Sequence, residues 1–278
     1  VALITFVPLG IQVLGMLGEE RKKKLLIPVV VLQTIAANLG SMLTPIGNPQ
    51  NLYLYARADM KGMEFFKLMI PYSTLALVML SIWCIIIGRK DGAKQMAFER
   101  KETLIDRKKL VGWSILFFLC IATVAGKIPY TWTFGGVVAG VFFLDKKIFC
   151  KVDYALLGTF LGFFVFIGNM GRMEVFRNGL ESVINGNEVI TSIVASQVIS
   201  NVPTALLLSG FTQDIKSLII GTNLGGLGTL IASMASLISF RYIGAEDKRK
   251  RFPYLRYFTI ANIFFLVMLF FFYMMNIM

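Results

Sequence analysis

Charged residues are gathered into clusters along the chain, and between them lie nine stretches without Asp, Glu, Lys or Arg. Each stretch is mostly apolar and at least 17 residues long, close to the roughly 20 residues that an α-helix needs to cross a bilayer. A strand-built membrane barrel would instead show alternating segments of about ten residues. The pattern therefore predicts an all-α integral membrane protein. The stretches are 1–18, 25–56, 68–88, 110–126, 128–144, 154–171, 189–213, 217–240 and 257–278.

The composition supports a membrane protein and excludes several other classes. Hydrophobic residues make up 56% of the 278 residues and charged residues only 16%, whereas soluble domains carry about 25% charged residues. A soluble enzyme, a disordered chain and a disulfide scaffold are therefore excluded. The chain has no histidine, and its three cysteines lie far apart in or near apolar stretches. We expect these cysteines to be packing residues rather than metal ligands.

The net charge of +12 is concentrated in four loops, which hold 21 of the 28 Lys and Arg residues. The positive-inside bias places these loops in the cytoplasm. Nucleic-acid binding, the other common interpretation of a basic protein, is disfavoured because the loops flank apolar stretches and contain no recognisable binding module. The loops are residues 19–24, 89–109, 145–153 and 241–256.

This orientation constrains the path of the second half of the chain. With residues 241–256 inside, stretch 217–240 must run inwards, and stretch 189–213 must start and end on the outer side. One helix cannot do that, whereas two half-length limbs joined at residues 200–203, Ser-Asn-Val-Pro, can. A re-entrant hairpin is therefore predicted here. The alternative is one ordinary helix combined with a wrongly placed loop.

Two segments of the chain resemble each other. Residues 38–52 align without gaps to residues 223–237, with six identities in fifteen positions, and Asn38 aligned with Asn223 is one of them. The first segment runs from the inner to the outer side and the second runs in the opposite direction. The pair therefore predicts an inverted-topology repeat.

Both segments are rich in residues that break helices at the depth of the bilayer. Such residues free backbone groups, and an unsatisfied backbone group in hydrocarbon is so costly that breaks persist only beside protein, water or a ligand. Two prolines and two asparagines within residues 44–51 exceed what helix packing requires. For Gly225, Gly226 and Gly228, close helix packing remains an equally good explanation.

The chain opens at Val1 inside an apolar stretch, without the positive region or cleavage site of a signal peptide. We therefore expect it to begin partway through a larger protein, with stretch 1–18 as the second limb of a first hairpin. The predicted division is 1–88 as part of a first repeat, 89–109 as a basic cytoplasmic linker, and 110–278 as a second repeat. This second repeat would hold a hairpin near 189–213, a broken helix at 217–240 and a final span.

The block from Ala36 to Asn51 resembles the ion transporter superfamily, in particular the citrate-transporter-like permeases. It looks most like the arsenite-permease and NhaD-type antiporter branch, which is related to the sodium-coupled dicarboxylate carriers. The opening VALITFVP resembles the sequence after a hairpin tip in that branch, and residues 200–203 are similar to the second tip. The resemblance implies an inverted-repeat secondary transporter, truncated at its N-terminus, whose hairpin tips and broken helices enclose substrate and coupling ion.

Carried onto this sequence, the resemblance implies thirteen neutral residues that bind substrate or ion. Na+ is expected near Asn201, Asn223 and Thr229, and no catalytic residue and no cofactor beyond a coupling Na+ or H+ is expected. The first hairpin tip would precede Val1, and an Asp there would be the natural ion site. The candidates are Asn38, Ser41, Thr44, Gly47, Asn48, Asn51, Ser200, Asn201, Thr204, Asn223, Thr229, Ser233 and Ser236.

The favoured function is secondary transport by a multi-pass protein of the plasma membrane. The substrate would be an anion or oxyacid of the citrate/dicarboxylate or arsenite class, coupled to Na+ or H+. The alternatives are a Na+/H+ antiporter of the NhaD type and a non-transporting or channel-like subunit. An enzyme is disfavoured because the apolar stretches hold no His, Asp or Glu. The expected partners are the lipid bilayer and a small anionic or neutral oxyacid, without nucleic acid, and a homodimer is left open.

Overall fold

The computed structural model describes residues 2–88, 106–152, 154–170 and 172–277. These residues contain no strand, which confirms the predicted all-α membrane fold, and most of the linker predicted at 89–109 lies outside them. The described α-helices are α1 (Ala2–Met16), α2 (Glu19–Ser41), α3 (Pro49–Arg57), α4 (Gly62–Gly88), α5 (Arg107–Val124), α6 (Tyr130–Asp145), α7 (Tyr154–Met170), α8 (Glu174–Ile184), α9 (Glu188–Ile199), α10 (Asn201–Leu208), α11 (Ile215–Leu224), α12 (Met234–Glu246) and α13 (Arg251–Ile277). Short 3-10 helices occupy Lys146–Lys151 and Lys248–Lys250.

Three of the described helices are long and apolar enough to cross a membrane. They are α2, α4, and α13 together with the 3-10 turn before it. Helix α2 begins with Glu19 and Glu20 in its first turn, where negative side chains interact favourably with the helix dipole. The other α-helices of the described residues are shorter. Three apolar stretches, 25–56, 189–213 and 217–240, are each divided between two helices.

The chain divides into two compact units, and the division falls within α7. The smaller unit, residues 97–161, contains the antiparallel pair of α5 and α6. The Asp106 side chain caps α5, and Gly126 provides the positive φ of +72° that the turn after α5 requires. At Gly112 and Gly140 the leucine side chains of the opposite helix come within 3 Å of where a Cβ would lie. These two glycines therefore let the helices approach closely.

The larger unit, residues 1–96 and 162–278, is organised around α2. Helix α2 packs against α1, α4, α12 and α13, and its inward-facing apolar side chains recur at helical spacing. Bulky aromatic side chains from α4 and α13 fill the space beside it. The fully buried residues of this core include Leu26, Val30, Ile35, Leu39, Phe65, Tyr254, Phe258 and Phe265.

Three apolar segments of the larger unit are interrupted. Residues 42–48 separate α2 from α3, Ser200 separates α9 from α10, and residues 225–233 separate α11 from α12. The sequence predicted a turn over residues 200–203, but only Ser200 lies outside the helices. Pro203 fits into the first turn of α10 because N–H groups there have no partner within the helix.

Candidate functional site

The first break is shaped by a cap and a glycine. Asn48 precedes α3, and its side-chain oxygen accepts a hydrogen bond from the Asn51 N–H at 2.8 Å, with Pro49 as the first helical residue. Asparagine before a helix and proline at its first position are both favoured helix starts. A Cβ on Gly47 would lie 1.9 Å from the Ser41 carbonyl oxygen. Only glycine therefore lets the chain fold back on the end of α2.

The second break has the same design at the aligned positions. Ser233 precedes α12, and its hydroxyl accepts a hydrogen bond from the Ala235 N–H at 3.1 Å. Ser233 aligns with Asn48, so both repeat segments restart their helices with a capping side chain at the same position. Gly228 within this break has a φ of +107°, a conformation that favours glycine.

Side chains of the two breaks bind each other reciprocally. Asn48 Nδ2 donates to Asn223 Oδ1 at 3.0 Å, and the Ser233 hydroxyl donates to Asn38 Oδ1 at 2.8 Å. Asn38 and Asn223 are aligned with each other, as are Asn48 and Ser233. The asparagine near the end of each first half-helix therefore binds the cap of the opposite second half-helix. This is the arrangement expected of two segments related by an approximate two-fold axis.

Two further hydrogen bonds join the two repeat segments at this point, which we call the crossing of the breaks. Asn223 Nδ2 donates to Asn51 Oδ1 at 2.6 Å, and Asn38 Nδ2 donates to the Gly226 carbonyl at 3.2 Å. Asn51 and Asn223 are almost fully buried. A buried amide needs a hydrogen-bond partner, and each of these two amides finds one in the opposite segment.

The tip of the α9–α10 hairpin lies against the second break. The Asn201 N–H donates to the Ala232 carbonyl at 2.9 Å, and the Ser200 hydroxyl approaches the same oxygen at 3.4 Å. Ser200 has φ +75° and ψ 154°, a region of backbone space that is essentially restricted to glycine. The hairpin therefore reaches the site through a strained residue.

The other candidates from the sequence lie within or beside these contacts. The Ser41 hydroxyl donates to the Asn38 carbonyl and accepts from Asn48, and the Thr44 carbonyl accepts from Asn51 Nδ2. Thr229 is exposed in the second break. Thr204 and Ser236 are fully buried, and their hydroxyls have no hydrogen-bond partner within the described part of the chain.

Gln197 is a further residue of the site, and it is not among the candidates predicted from the sequence. Its side chain donates to the carbonyls of Gly225 and Leu227 at 3.0 Å each, and it accepts from the Thr229 N–H at 2.9 Å. The available signal was an amide side chain three residues before Ser200 in an otherwise mostly apolar limb. The alignment of the two repeat segments does not include this position.

The side chains that surround the two breaks and the hairpin tip form a cluster of neutral polar groups. It offers amide donors, hydroxyls and carbonyl oxygens together with the starts of α3 and α12, which carry partial positive charge. Among the described residues, no group of three or more His, Cys, Asp or Glu side chains is placed to hold a metal ion. The cluster can therefore bind a small polar solute or a hard cation through oxygen atoms.

An all-α membrane protein whose interrupted helices meet at neutral polar side chains is the class that this fold and site define. Comparison with known proteins specifies the family. The family model described as citrate transporter matches residues 1–215. The chain therefore belongs to the citrate transporter family.

Three individual relatives are named as membrane proteins or transporters. The chain is 31% identical to the inner membrane protein YbiR of Escherichia coli strain K12 over 258 residues, and 31% identical to the uncharacterized transporter MJ0456 of Methanocaldococcus jannaschii over 231 residues. A 46 kDa membrane protein of Mycobacterium leprae is 20% identical over 250 residues. The matches cover 90%, 81% and 76% of this chain, but only 65%, 60% and 58% of the respective relatives.

Proposed function

We propose that this chain is part of a multi-pass secondary transporter of the plasma membrane. Its substrate is a small anion or neutral oxyacid of the citrate/dicarboxylate or arsenite class, and its coupling ion is Na+ or H+. The observation that carries the proposal is the reciprocal pairing of the two breaks, Asn48 with Asn223 and Asn38 with Ser233. Two further observations support it: the chain belongs to the citrate transporter family, and one relative is named as a transporter.

The cost of building such a site in a membrane supports a functional role. Buried amides and freed carbonyls are expensive in hydrocarbon, and continuous helices would have avoided them. Ser200 adds strain of about 1–3 kcal/mol at the hairpin tip. Proteins retain such costs where the local conformation serves a function rather than stability.

The neutral side chains indicate how a ligand would be held. An anion would rely on the starts of α3 and α12 and on amide donors, because the thirteen candidate residues include no Lys or Arg. A coupling Na+ would use oxygen atoms near Asn201, Asn223 and Thr229. The unpartnered buried hydroxyls of Thr204 and Ser236 are further available donors or acceptors.

The proposal is tested with the full-length protein in proteoliposomes. We expect saturable uptake of labelled citrate, a C4-dicarboxylate or arsenite under an imposed Na+ or H+ gradient, together with exchange against internal substrate. Channel-like behaviour would give flux without saturation or exchange, and a Na+/H+ antiporter would move protons against Na+ without any of these substrates. Absence of all these fluxes from folded protein would overturn the proposal.

A further inference from the structure

Gln197 occupies an unusual position between two elements. It lies in the last turn of α9, but its side-chain amide projects into the break between α11 and α12. In a continuous α-helix the N–H of Thr229 would donate to the carbonyl of Gly225, four residues earlier. Here the Thr229 N–H donates to Gln197 Oε1 at 2.9 Å, and the Gly225 carbonyl accepts from Gln197 Nε2 at 3.0 Å. The Gln197 side chain thus takes the place of the backbone hydrogen bond that would join Thr229 to Gly225 in a continuous helix.

Further contacts fix this insertion. Gln197 Nε2 also lies 3.0 Å from the Leu227 carbonyl, and the Thr229 hydroxyl donates to the backbone carbonyl of Gln197 at 3.1 Å. Gln197 therefore provides partners for three backbone groups of the break and for one side-chain hydroxyl. Insertion of a side chain into the ladder is a recognised cause of helix interruption.

The neighbouring glycines make room for the inserted amide. A Cβ on Gly228 would lie 2.2 Å from Gln197 Oε1. Gly221 and Gly225 lie against Ser192 and Ser196, where a Cβ would come within 2.7 Å of a serine atom. Small residues four apart on both helices bring α9 and α11 close together, which puts Gln197 within reach of the break.

We propose that Gln197 is a positioning residue that holds the second break open and sets the geometry of Asn223 and Thr229. It acts through the backbone of residues 225–229. The α9–α10 hairpin and the broken α11–α12 segment then behave as one unit, because the same side chain belongs to the first and completes the hydrogen bonding of the second. The effect on transport rests on the function proposed above, whereas the effect on the backbone does not.

The direct test is hydrogen–deuterium exchange of the peptide spanning residues 225–233 in the purified full-length protein. Gln197→Leu keeps much of the side-chain volume and removes the amide, and Gln197→Asn keeps the amide but shortens its reach. In both variants we expect exchange in this peptide to accelerate about tenfold, since a hydrogen bond that protects the Thr229 N–H is lost. Two variants guard against a folding failure in either one.

Gln33→Leu is the matched control. The Gln33 side chain also donates to a backbone carbonyl of a neighbouring helix, that of Phe6 at 3.0 Å, but it does not contact the second break. Its substitution should leave exchange of residues 225–233 unchanged. In transport assays, Gln197→Leu should raise the KM about tenfold, because the site loses preorganisation, with Vmax per folded protein nearly retained. Gln33→Leu should leave the KM unchanged.

The outcomes separate the two proposals. Unchanged exchange in both Gln197 variants would overturn the role of Gln197. Faster exchange with an unchanged KM would overturn its role in positioning the site and leave it as a structural brace. Faster exchange in the variants, with a wild-type protein that transports none of the substrates, would support the opening of the break by Gln197 and overturn the proposed function.

Discussion

At the scale of single residues, the site includes two positions whose local geometry favours glycine. Gly47 lies so close to the Ser41 carbonyl that no side chain can be accommodated. Ser200 has a backbone conformation that suits glycine, although it is serine. Both positions favour glycine: the first has no room for a side chain, and the second keeps one at a cost in backbone strain.

Gly47→Ala should destabilise the protein strongly. A Cβ 1.9 Å from a backbone oxygen forces the first break to move, and overpacking of this kind costs about 1–3 kcal/mol or more. Gly40→Ala is the control, because no atom lies within 4 Å of its ideal Cβ and alanine suits a helix. Thermal unfolding in detergent should show a lowered midpoint for Gly47→Ala only. Equal midpoints would contradict the assigned close approach.

Ser200→Gly should stabilise the protein. Glycine adopts φ +75° without a steric penalty, so about 1 kcal/mol or more of strain is released. Asp59→Gly serves for comparison, because Asp59 has φ 47°, in a left-handed region that Asp tolerates. The unfolding midpoint should rise for Ser200→Gly and change little for Asp59→Gly. A decrease for Ser200→Gly would show that the tip is not strained.

The sequence identified residues with local signals and missed those defined by distant contacts. Asn38 and Asn48 were identified because they lie in an alignable segment rich in helix-breaking residues. Their partners, Ser233 and Asn223, emerged from the same alignment. Gln197 carries no such signal, because its partners are 28 to 32 residues away and become visible only when the hairpin is folded against the break.

At the scale of elements, α2 and α12 form an antiparallel pair that polar side chains connect at three positions along its length. Lys22 forms an ion pair with Glu246 at one end, the Thr34 hydroxyl donates to Ser239 at 2.6 Å further along, and Asn38 meets Ser233 beside the breaks. As the residue numbers rise along α2, the numbers of their partners on the α12 side fall. The sequence predicted the two segments and their opposite directions, and the family resemblance implied that the broken helices meet. It did not predict which residues of α2 and α12 pair.

The crossing of the breaks should appear as energetic coupling. We expect Asn48→Ala and Asn223→Ala to be non-additive in the free energy of unfolding by about 0.5–1 kcal/mol, the usual range for a polar contact between membrane helices. Asn48→Ala combined with Ser239→Ala forms the control cycle, because Ser239 bonds to Thr34 instead. Unfolding in detergent–SDS mixtures measures both cycles. Additive effects for the first cycle would show that the Asn48–Asn223 bond contributes nothing.

At the scale of the whole molecule, the charge pattern and the structure of the larger unit agree on direction. The Lys22–Glu246 ion pair puts the start of α2 and the end of α12 at the same end of that helix pair. The positive-inside bias had placed the loops at 19–24 and 241–256 together in the cytoplasm. The extent of each break could not be predicted from composition, because caps and glycine contacts decide where the helices restart.

Inverted topology is tested by labelling single cysteines in a variant lacking Cys84, Cys120 and Cys150. An impermeant maleimide applied to intact cells should label cysteine introduced at Arg57 and at Lys216. Cysteine introduced at Lys24 and at Lys248 should react only after the membrane is permeabilised. All four positions have exposed side chains, so accessibility to the reagent depends on the side of the membrane. Labelling of positions 24 and 216 from the same side would contradict the inverted repeat.

The most direct test of the central claim is ion-driven substrate uptake by proteoliposomes containing either the wild-type protein or Asn223→Ala. Asn223 binds both Asn48 and Asn51 across the crossing, so its loss should reduce uptake at low substrate concentration about tenfold or more. Ser81→Ala, which removes an exposed hydroxyl of α4, should leave uptake unchanged. Equal uptake by wild type and Asn223→Ala, with both proteins folded, would contradict the claim that transport occurs where the two breaks meet.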